Sequence, residues 1–447
     1  MDFSKLNLNG NEYNVKDEKA RKDINNLYVS NINELKQSTT LKSGDVVKTL
    51  GYYVENDGGS GLYLIREKIE TDVEDNGLIH FIGESLVAEL IVEDEVINIL
   101  QFGAKNDDSD DCTDIFNKAI SSKYNNIFIP QGQYRVNGTI TMKSNLYLEG
   151  CGTTSNINIS NIAQFRTTNM TNYTNINFYN LTFRVNGERT SYAIDFINSD
   201  LCKIEKCIIR SDNGTQAYNG LAFRLTDGEH CYDNKVINCQ FQRASLHFTN
   251  STDNFIINNL LWADEMETGA LVLEGGCHNT LISGNHFGGH PTLGCLRMNT
   301  TCYQLRIVDN YFDAKGIGIN AEDIVEGTIN NNLFFHSAQA MLINNLKMST
   351  INNNIFRDCD LDDEGYSDIN ITNLQGGNTF MGNKHYRTDN RVHTNKSSAY
   401  NLPNADTNYP ETVISLASVW FTSYYNAQDL TNARNHFVNC YPNSLFN

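Results

Sequence analysis

Ile282-Ser283-Gly284-Asn285-His286-Phe287 is answered further along the chain by Ile307-Val308-Asp309-Asn310-Tyr311-Phe312. Ile329-Asn330-Asn331-Asn332-Leu333-Phe334 and Ile351-Asn352-Asn353-Asn354-Ile355-Phe356 continue the phrase. Each copy is an aliphatic residue, two spacers, Asn, one spacer and an apolar residue. Weaker copies end at Phe183, Ile209, Phe241, Leu261 and Phe380. From one terminal apolar residue to the next, the steps are 26, 32, 20, 26, 25, 22, 22 and 24. A period in this range marks a repeat architecture whose single units are too small to bury their own apolar faces.

The phrases are short, apolar at alternate positions and flanked by Gly, Asn, Asp and Thr, which is strand chemistry. The steps leave no room for a helix between every pair of strands. They predict an all-β chain, a right-handed parallel β-helix whose turns pair at about 4.8 Å. The terminal Phe, Leu and Ile residues stack inside. Asn259, Asn285, Asn310, Asn332, Asn354 and Asn378 form a column at a turn, where Asn tolerates φ > 0 and its amide bonds the Asn above and below. Leu181, Cys207 and Cys239 take that place in the earlier turns. The column is read as structural.

Composition narrows the function. The net charge of -19 argues against a nucleic-acid-binding surface, which would be basic. No apolar run is long enough to span a membrane, and the first residues show no secretory signal pattern. Eleven Cys, an odd count with no CxxC pair, fit buried free thiols made in a reducing cytosol. Asn is about one residue in seven, well above ordinary usage.

Four segments follow along the chain. Residues 1–40 are polar with a helical stripe between Val15 and Leu35, at Ile24, Leu27, Tyr28, Ile32 and Leu35. They are expected to form a short N-terminal helix for attachment or oligomerisation. Residues 41–95 read as a small β adaptor. It has a hairpin from Val46 to Ile65 around the turn Asp57-Gly58-Gly59-Ser60-Gly61, and a second strand pair near Leu78–Ile82 and Ala88–Val92. Residues 96–385 carry the β-helix. Its opening holds an acidic run, Asp107, Asp108, Asp110 and Asp111, ahead of a helix capped by Asp111 or Thr113, with apolar residues Ile115, Phe116, Ala119 and Ile120. The acidic run is read as favouring that helix N-terminus. Residues 386–447 lose the repeat and include Trp420 and Phe421. They are expected to cap the solenoid and to contact other subunits.

The opening segment carries a resemblance. Phe102-Gly103-Ala104-Lys105 with its aspartates, the capping helix, Ile127-Phe128-Ile129-Pro130-Gln131-Gly132-Gln133-Tyr134-Arg135-Val136 and Asn145-Leu146-Tyr147-Leu148-Glu149-Gly150-Cys151-Gly152 occur in that order. Followed by the repeats, they resemble the pectate-lyase superfamily of right-handed parallel β-helices over residues 96–380. With the polar N-terminal segment and the adaptor in front, the chain looks like a bacteriophage tailspike or tail appendage. That resemblance implies a virion protein, made in the cytoplasm of a bacterial host and attached to phage tail proteins through its N-terminus. It implies a homotrimer that binds a bacterial surface polysaccharide, either a glycan or a teichoic-acid-like polymer, during host adsorption. It raises depolymerisation by a hydrolase or lyase without deciding it. Two alternatives remain: a receptor-binding or structural virion protein without catalysis, and a cellular pectate-lyase-like lyase. No nucleic acid or membrane insertion is expected.

Residues at one offset in successive turns project side by side, so the positions just past each terminal apolar residue form a candidate strip. They include Arg243, Trp262, Asp264, Glu265, His290, Asp313, Lys315, His336, Arg357, Asp358 and Asp360. Inverting glycoside hydrolysis needs carboxyls about 6.5–9.5 Å apart, or about two turns. Asp264 or Glu265 with Asp313 is the candidate pair, with His290 between them as a further catalytic candidate. Trp262 is the candidate for stacking on a sugar, and Arg243, His336 and Arg357 for binding it. The polygalacturonase motifs of the superfamily, Asn-Thr-Asp and Gly-His-Gly, are absent. No cofactor or metal site is expected, although Asp358, Asp360, Asp362, Asp363 and Glu364 could hold a cation such as Ca²⁺. His230, His247 and His278 are read as packed or solvated.

Overall fold

The computed structural model describes residues 5–8, 11–14, 28–168, 172–187, 190–211, 218–226, 231–263, 268–289, 293–359, 366–386, 400–402 and 413–414. The chain is a parallel β-solenoid of about ten turns. It divides into two compact units, residues 1–135 with 147–155, and residues 136–146 with 156–447.

In the first unit, Lys5–Leu8 and Asn11–Asn14 pair antiparallel. A five-stranded sheet then takes the order Tyr28–Val29, Val46–Thr49, Leu62–Glu67, Leu86–Leu90, Ile79–Ile82. The expected helical stripe is corrected here. Tyr28 and Val29 are strand, and among the described residues of this stretch the helix is Ile32–Gln37, which buries Ile32 and Leu35. Asn31 caps it by accepting from the Glu34 N–H at 3.0 Å. Ile24 and Leu27 lie outside the described residues. The Gly-rich turn is organised by Asp57, whose carboxylate accepts from the backbone of Tyr52, Tyr53, Val54 and Gly59.

The acidic run is a strand, and the helix N-cap is Cys112, without a side-chain capping bond, not Asp111 or Thr113. Asp107–Asp111 pairs parallel with Gly132–Val136. Asp111 accepts from the Thr113 N–H and hydroxyl at 3.0 and 2.6 Å, at the start of helix Thr113–Ser121. Asp110 and Asp108 face Lys105 and Arg135 at 2.7 and 3.3 Å. The helix buries Phe116, Ala119 and Ile120 and leaves Ile115 half-exposed.

The second unit is built from three parallel ladders. The first runs Asn177–Tyr179, Lys203–Glu205, Lys235–Ile237, Phe255–Ile257, Leu281–Ser283, Arg306–Val308, Thr328–Asn330, Thr350–Asn352 and Thr379–Met381. The second runs Thr182–Val185, Ile208–Ser211, Gln240–Gln242, Leu260–Ala263, His286–Gly289, Tyr311–Ala314, Leu333–Phe335, Ile355–Arg357 and Lys384–Tyr386. The third includes Ile194–Ile197, Tyr218–Arg224, Ala244–Thr249, Leu271–Glu274, Leu296–Tyr303, Ile317–Val325, Gln339–Lys347 and Ile369–Leu374. In the copies ending at Phe287, Phe312, Phe334 and Phe356, the aliphatic residue sits in the first ladder and the terminal Phe in the second, both facing inward. Phe287, Phe312, Phe334 and Phe356 stack with centroids 4.7, 4.6 and 5.1 Å apart and planes within 7° of parallel.

The Asn column stands between these two ladders. The Asn310 amide donates to the Ile282 carbonyl at 2.9 Å and to Asn332 Oδ1 at 3.0 Å, while Asn310 Oδ1 accepts from the Asn285 N–H at 2.9 Å. The same pattern joins Asn259 to Asn285 and Asn332 to Asn354. Each amide thereby satisfies buried backbone that the sharp turn leaves unpaired. Two details differ from the expectation. The left-handed residue is the one before each column Asn, at Asn258, Gly284, Asp309, Asn331 and Asn353, with φ between 55° and 66°. The turn therefore needs two residue types, one for its backbone and one for its amide. Secondly, Asn354 is bonded by Asn383, not Asn378. Phe380 pairs with Ile351 in the first ladder, and His385 pairs with Phe356 in the second. Asn378 belongs to another turn column, where it accepts from the Ser349 N–H at 2.9 Å.

Among the described residues no helix is long and apolar enough to cross a membrane. The ten described cysteines are free thiols, all buried except Cys151.

Candidate functional site

Strand alternation places both neighbours of each inward apolar residue on the outer face of the second ladder. One outer column reads Arg184, Arg210, Gln242, Trp262, Gly288, Asp313, Phe335 and Arg357, in register from turn to turn. The other reads Thr182, Ile208, Gln240, Leu260, His286, Tyr311, Leu333 and Ile355. No two successive turns repeat the same pair, whereas the inward column barely changes.

Three of the sequence-selected residues share one column: Trp262, Asp313 and Arg357. Trp262 and Asp313 are two turns apart, about 9.6 Å along the ladder. Gly288 lies between them, and the Trp262 indole takes its place: a Cβ at residue 288 would stand 2.4 Å from Trp262 Cε3. Arg243, His336 and Asp358 sit in left-handed turns that end their strands, with φ of 52°, 53° and 52°, and Lys315 follows the strand Tyr311–Ala314. Arg243 donates its N–H to the Trp262 carbonyl at 2.9 Å. His336 stacks on Phe335, and Arg357 lies with its guanidinium carbon 5.1 Å from the Phe335 ring centroid. Asp264, Glu265 and His290 lie outside the described residues, as do His230, Asp360, Asp362, Asp363 and Glu364. Asp358 is buried and pairs with Arg357 at 3.3 Å. Among the described residues no three His, Cys, Asp or Glu side chains converge to hold a metal.

The structure adds His286, Tyr311 and Phe335, which extend the aromatic surface below Trp262. His286 meets Trp262 edge-on at 6.2 Å and stacks on Tyr311 at 4.7 Å. Partial burial lowers the His286 pKa, and Asp313 opposes that shift. Burial raises the Tyr311 pKa, helped by Asp313 and countered by Arg357. Asp313 thus stands where it acts electrostatically on both rings. These residues precede the inward Phe or follow it by one place, so period-2 alternation alone points to them. A search confined to residues past the Phe passes over half of the face.

A cavity of about 390 Å³ opens on this face, lined by Arg210, Ser211, Gln242, Arg243, Leu260 and Trp262. Arg243 alone joins Gln240–Gln242 to Ala244–Thr249, whereas Ile208–Ser211 and Leu260–Ala263 reach the third ladder through longer connections.

A second polar cluster stands on the outer face of the third ladder, and it is internally paired. Arg224 makes a bidentate bond to Asp195 at 2.8 and 2.7 Å and lies over Tyr192. His247 meets the edge of Tyr192 and bonds Ser245 Oγ at 2.8 Å. Burial, with a smaller contribution from Arg297, lowers the His247 pKa to about 4. This is a buried, neutral histidine, bonded through Nε2 and with its Nδ1 left without a hydrogen-bond partner among the described residues. His278 is packed too, accepting from the Tyr303 N–H at 3.3 Å.

No family model matches the chain, and no curated protein matches it. Solved structures do. A tailspike protein from Acinetobacter baumannii bacteriophage Fri1, described as a capsular polysaccharide depolymerase, aligns with a TM-score of 0.54 at 13% identity, covering 91% of this chain and 78% of that one. The fold is the tailspike fold. The Dettilon tailspike protein aligns with a TM-score of 0.50 at 12% identity, over 73% of this chain and 70% of that one. At such identities the tailspike likeness describes the backbone, and the side chains above are this chain's own.

Proposed function

We propose that this chain is a phage tail appendage whose solenoid binds a bacterial surface polysaccharide along the outer face of the second ladder and depolymerises it. The observation that carries the reading is that face itself. A regular scaffold of the tailspike fold carries one non-repeating run in which an arginine-lined cavity, Trp262, His286, Tyr311, Asp313, Phe335 and Arg357 follow one another along the solenoid. Aromatic faces suit the C–H faces of sugars, and Arg and Asp suit their hydroxyls and charges. A depolymerase described for the Fri1 phage has this backbone, which supports cleavage as the outcome of binding.

In the hydrolytic form of the proposal, Asp313 is one carboxyl of an inverting pair, with Asp264 or Glu265 as the other. His286 is placed diagonally to Asp313 on the next turn and joins it as a proton-transfer group. Attachment to the virion through residues 1–95 and assembly as a homotrimer belong to the same proposal. The mass of the purified particle tests trimerisation.

A second reading, binding without cleavage, has one specific support. Asp313 is the one carboxylate in the two outer columns among the described residues, and hydrolysis needs two. The test is to incubate the full chain with surface polysaccharides from candidate hosts and follow polymer mass, reducing ends and unsaturated-uronate absorbance. Falling mass with new reducing ends supports hydrolysis, and an absorbance rise supports a lyase. Tight binding at constant polymer mass leaves only the receptor-binding reading.

A further inference from the structure

We propose that Gly288 is a positioning residue of the glycan face. Its missing side chain lets the Trp262 indole lie along the ladder, so that a sugar resting on the indole is delivered beside Asp313. The inference rests on the polysaccharide-binding reading and adds to it the residue that sets where the ligand sits.

Gly284, Gly288 and Gly289 stand close together, and the backbone requires only two of them. Gly284 and Gly289 have φ of 66° and 102°, in the left-handed region that favours glycine. Gly288 is outside that region. It lies within the strand His286–Gly289, paired with Trp262 on one side and Asp313 on the other. Such a position favours a larger residue, and a glycine there often marks the close approach of another group. The approaching group is the indole. A Cβ at residue 288 would stand 2.4 Å from both Cε3 and Cζ3 of Trp262 and 3.2 Å from Cη2. These atoms belong to one rigid ring, which gives way only by turning as a whole.

A similar arrangement elsewhere has a packing role. A Cβ at residue 77 would meet the Phe102 ring at 2.2 Å, and Phe102 is buried in the core of the first unit. Trp262 is a half-buried residue of the outer face, where no core has to be filled. What the indole gains by lying over Gly288 is reach. Trp262 and Asp313 start two turns apart, about 9.6 Å. The six-membered ring stands over the turn between them, one turn, or about 4.8 Å, from Asp313. The indole also meets His286 edge-on, and His286 stacks on Tyr311. The aromatic surface thus continues down to the carboxylate. A methyl group at residue 288 turns the indole away from the sheet and interrupts that surface.

The experiment is a double-mutant cycle on the full chain: wild type, Gly288→Ala, Trp262→Ala and the two together. Affinity is measured for the purified host surface polysaccharide that the wild type binds, with melting followed in parallel. Gly288→Ala is expected to weaken binding about 10-fold, the worth of an aromatic contact, while melting does not fall. Where the wild type cleaves the polymer, turnover falls further, about 10²-fold, as for a misplaced substrate. In the Trp262→Ala background Gly288→Ala is expected to have no effect on binding. The indole is also read without ligand, in Trp420→Phe, which leaves Trp262 as the one tryptophan of the chain. There Gly288→Ala should shift the emission to the red and raise its quenching by acrylamide. Unchanged binding in Gly288→Ala overturns the inference, whatever the emission does, and leaves the polysaccharide reading standing. An equal loss of affinity with and without the indole overturns it in favour of a packing role for Gly288. A wild type that binds no host polysaccharide removes the reading itself, and the inference with it.

Discussion

The two faces of the second ladder are one residue apart in sequence and follow opposite rules. Inward, Phe287, Phe312, Phe334 and Phe356 stack nearly in parallel, and the turn beside them repeats the same asparagine bond. Outward, Trp262, Gly288, Asp313, Phe335 and Arg357 succeed one another without repetition. Repetition is what a solenoid core demands, since each turn must fit the one beside it. A solvent-facing column has no such demand, and its residues are free to differ from turn to turn. The proposed use of that freedom is a ligand running along it.

Substitutions on each face can sharpen or break this contrast. The largest effect is expected outside. Asp313→Asn should lower turnover by about 10²- to 10⁴-fold, the range for loss of an acid–base group, with a melting point close to wild type. Reducing-end assays beside thermal melts check it, and near-normal turnover would remove Asp313 from catalysis. Inside, Phe312→Ala opens a cavity in the stack and should cost about 3–5 kcal/mol of stability, read by chemical denaturation. A small loss would mean that the stack is not a tightly packed core.

Acid should act on two buried histidines. Burial lowers the pKa of His80, in the first unit, and of His247 to about 4. Below the unfolded value near 6.5, the unfolded chain takes up these protons before the folded one does. Stability from each group is complete above pH 6.5 and declines as pH falls toward 4, by roughly 3 kcal/mol per group at about 1.36 kcal/mol per pKa unit. Denaturation at stepped pH should show that slope, and His247→Phe should remove the His247 share and leave that of His80. A smaller effect, about 1–3 kcal/mol, is expected for Asn310→Ala, which leaves the Asn285 N–H and the Ile282 carbonyl unpaired.

Much of the architecture is legible in the sequence because one column repeats. The aliphatic-x-x-Asn-x-Phe phrase identifies the parallel ladders, the inward Phe stack and most of the Asn column. It misleads at the end of the repeat for a physical reason. Asn378-Thr379-Phe380 keeps the Asn-x-Phe end of the phrase, whereas Asn383-Lys384-His385 ends in histidine and hides its place, but the solenoid has two polar turn columns, and Asn378 belongs to the other one. The last step is 29 residues, and a histidine completes the Phe stack 4.5 Å from Phe356. His385 is held there by Asp368, 2.8 Å from its Nδ1, a pairing that no local pattern announces. The site is less legible because its residues share no phrase. Arg243, Trp262 and Asp313 can be picked out as residues following the Phe column. His286 and Tyr311 stand on its other side and look like ordinary spacers in the sequence. The cavity gathers residues from three successive strands and the turn at Arg243, which becomes visible only once the strand register is fixed.

The central claim is that the ligand lies on the outer face of the second ladder. Its most direct test is a crystal structure of the full chain soaked with oligosaccharides cut from a host polysaccharide that it binds. The account predicts sugar density running along the solenoid from the Arg210–Arg243 cavity across Trp262 toward Asp313. Sugar bound elsewhere, with that face empty, would contradict it.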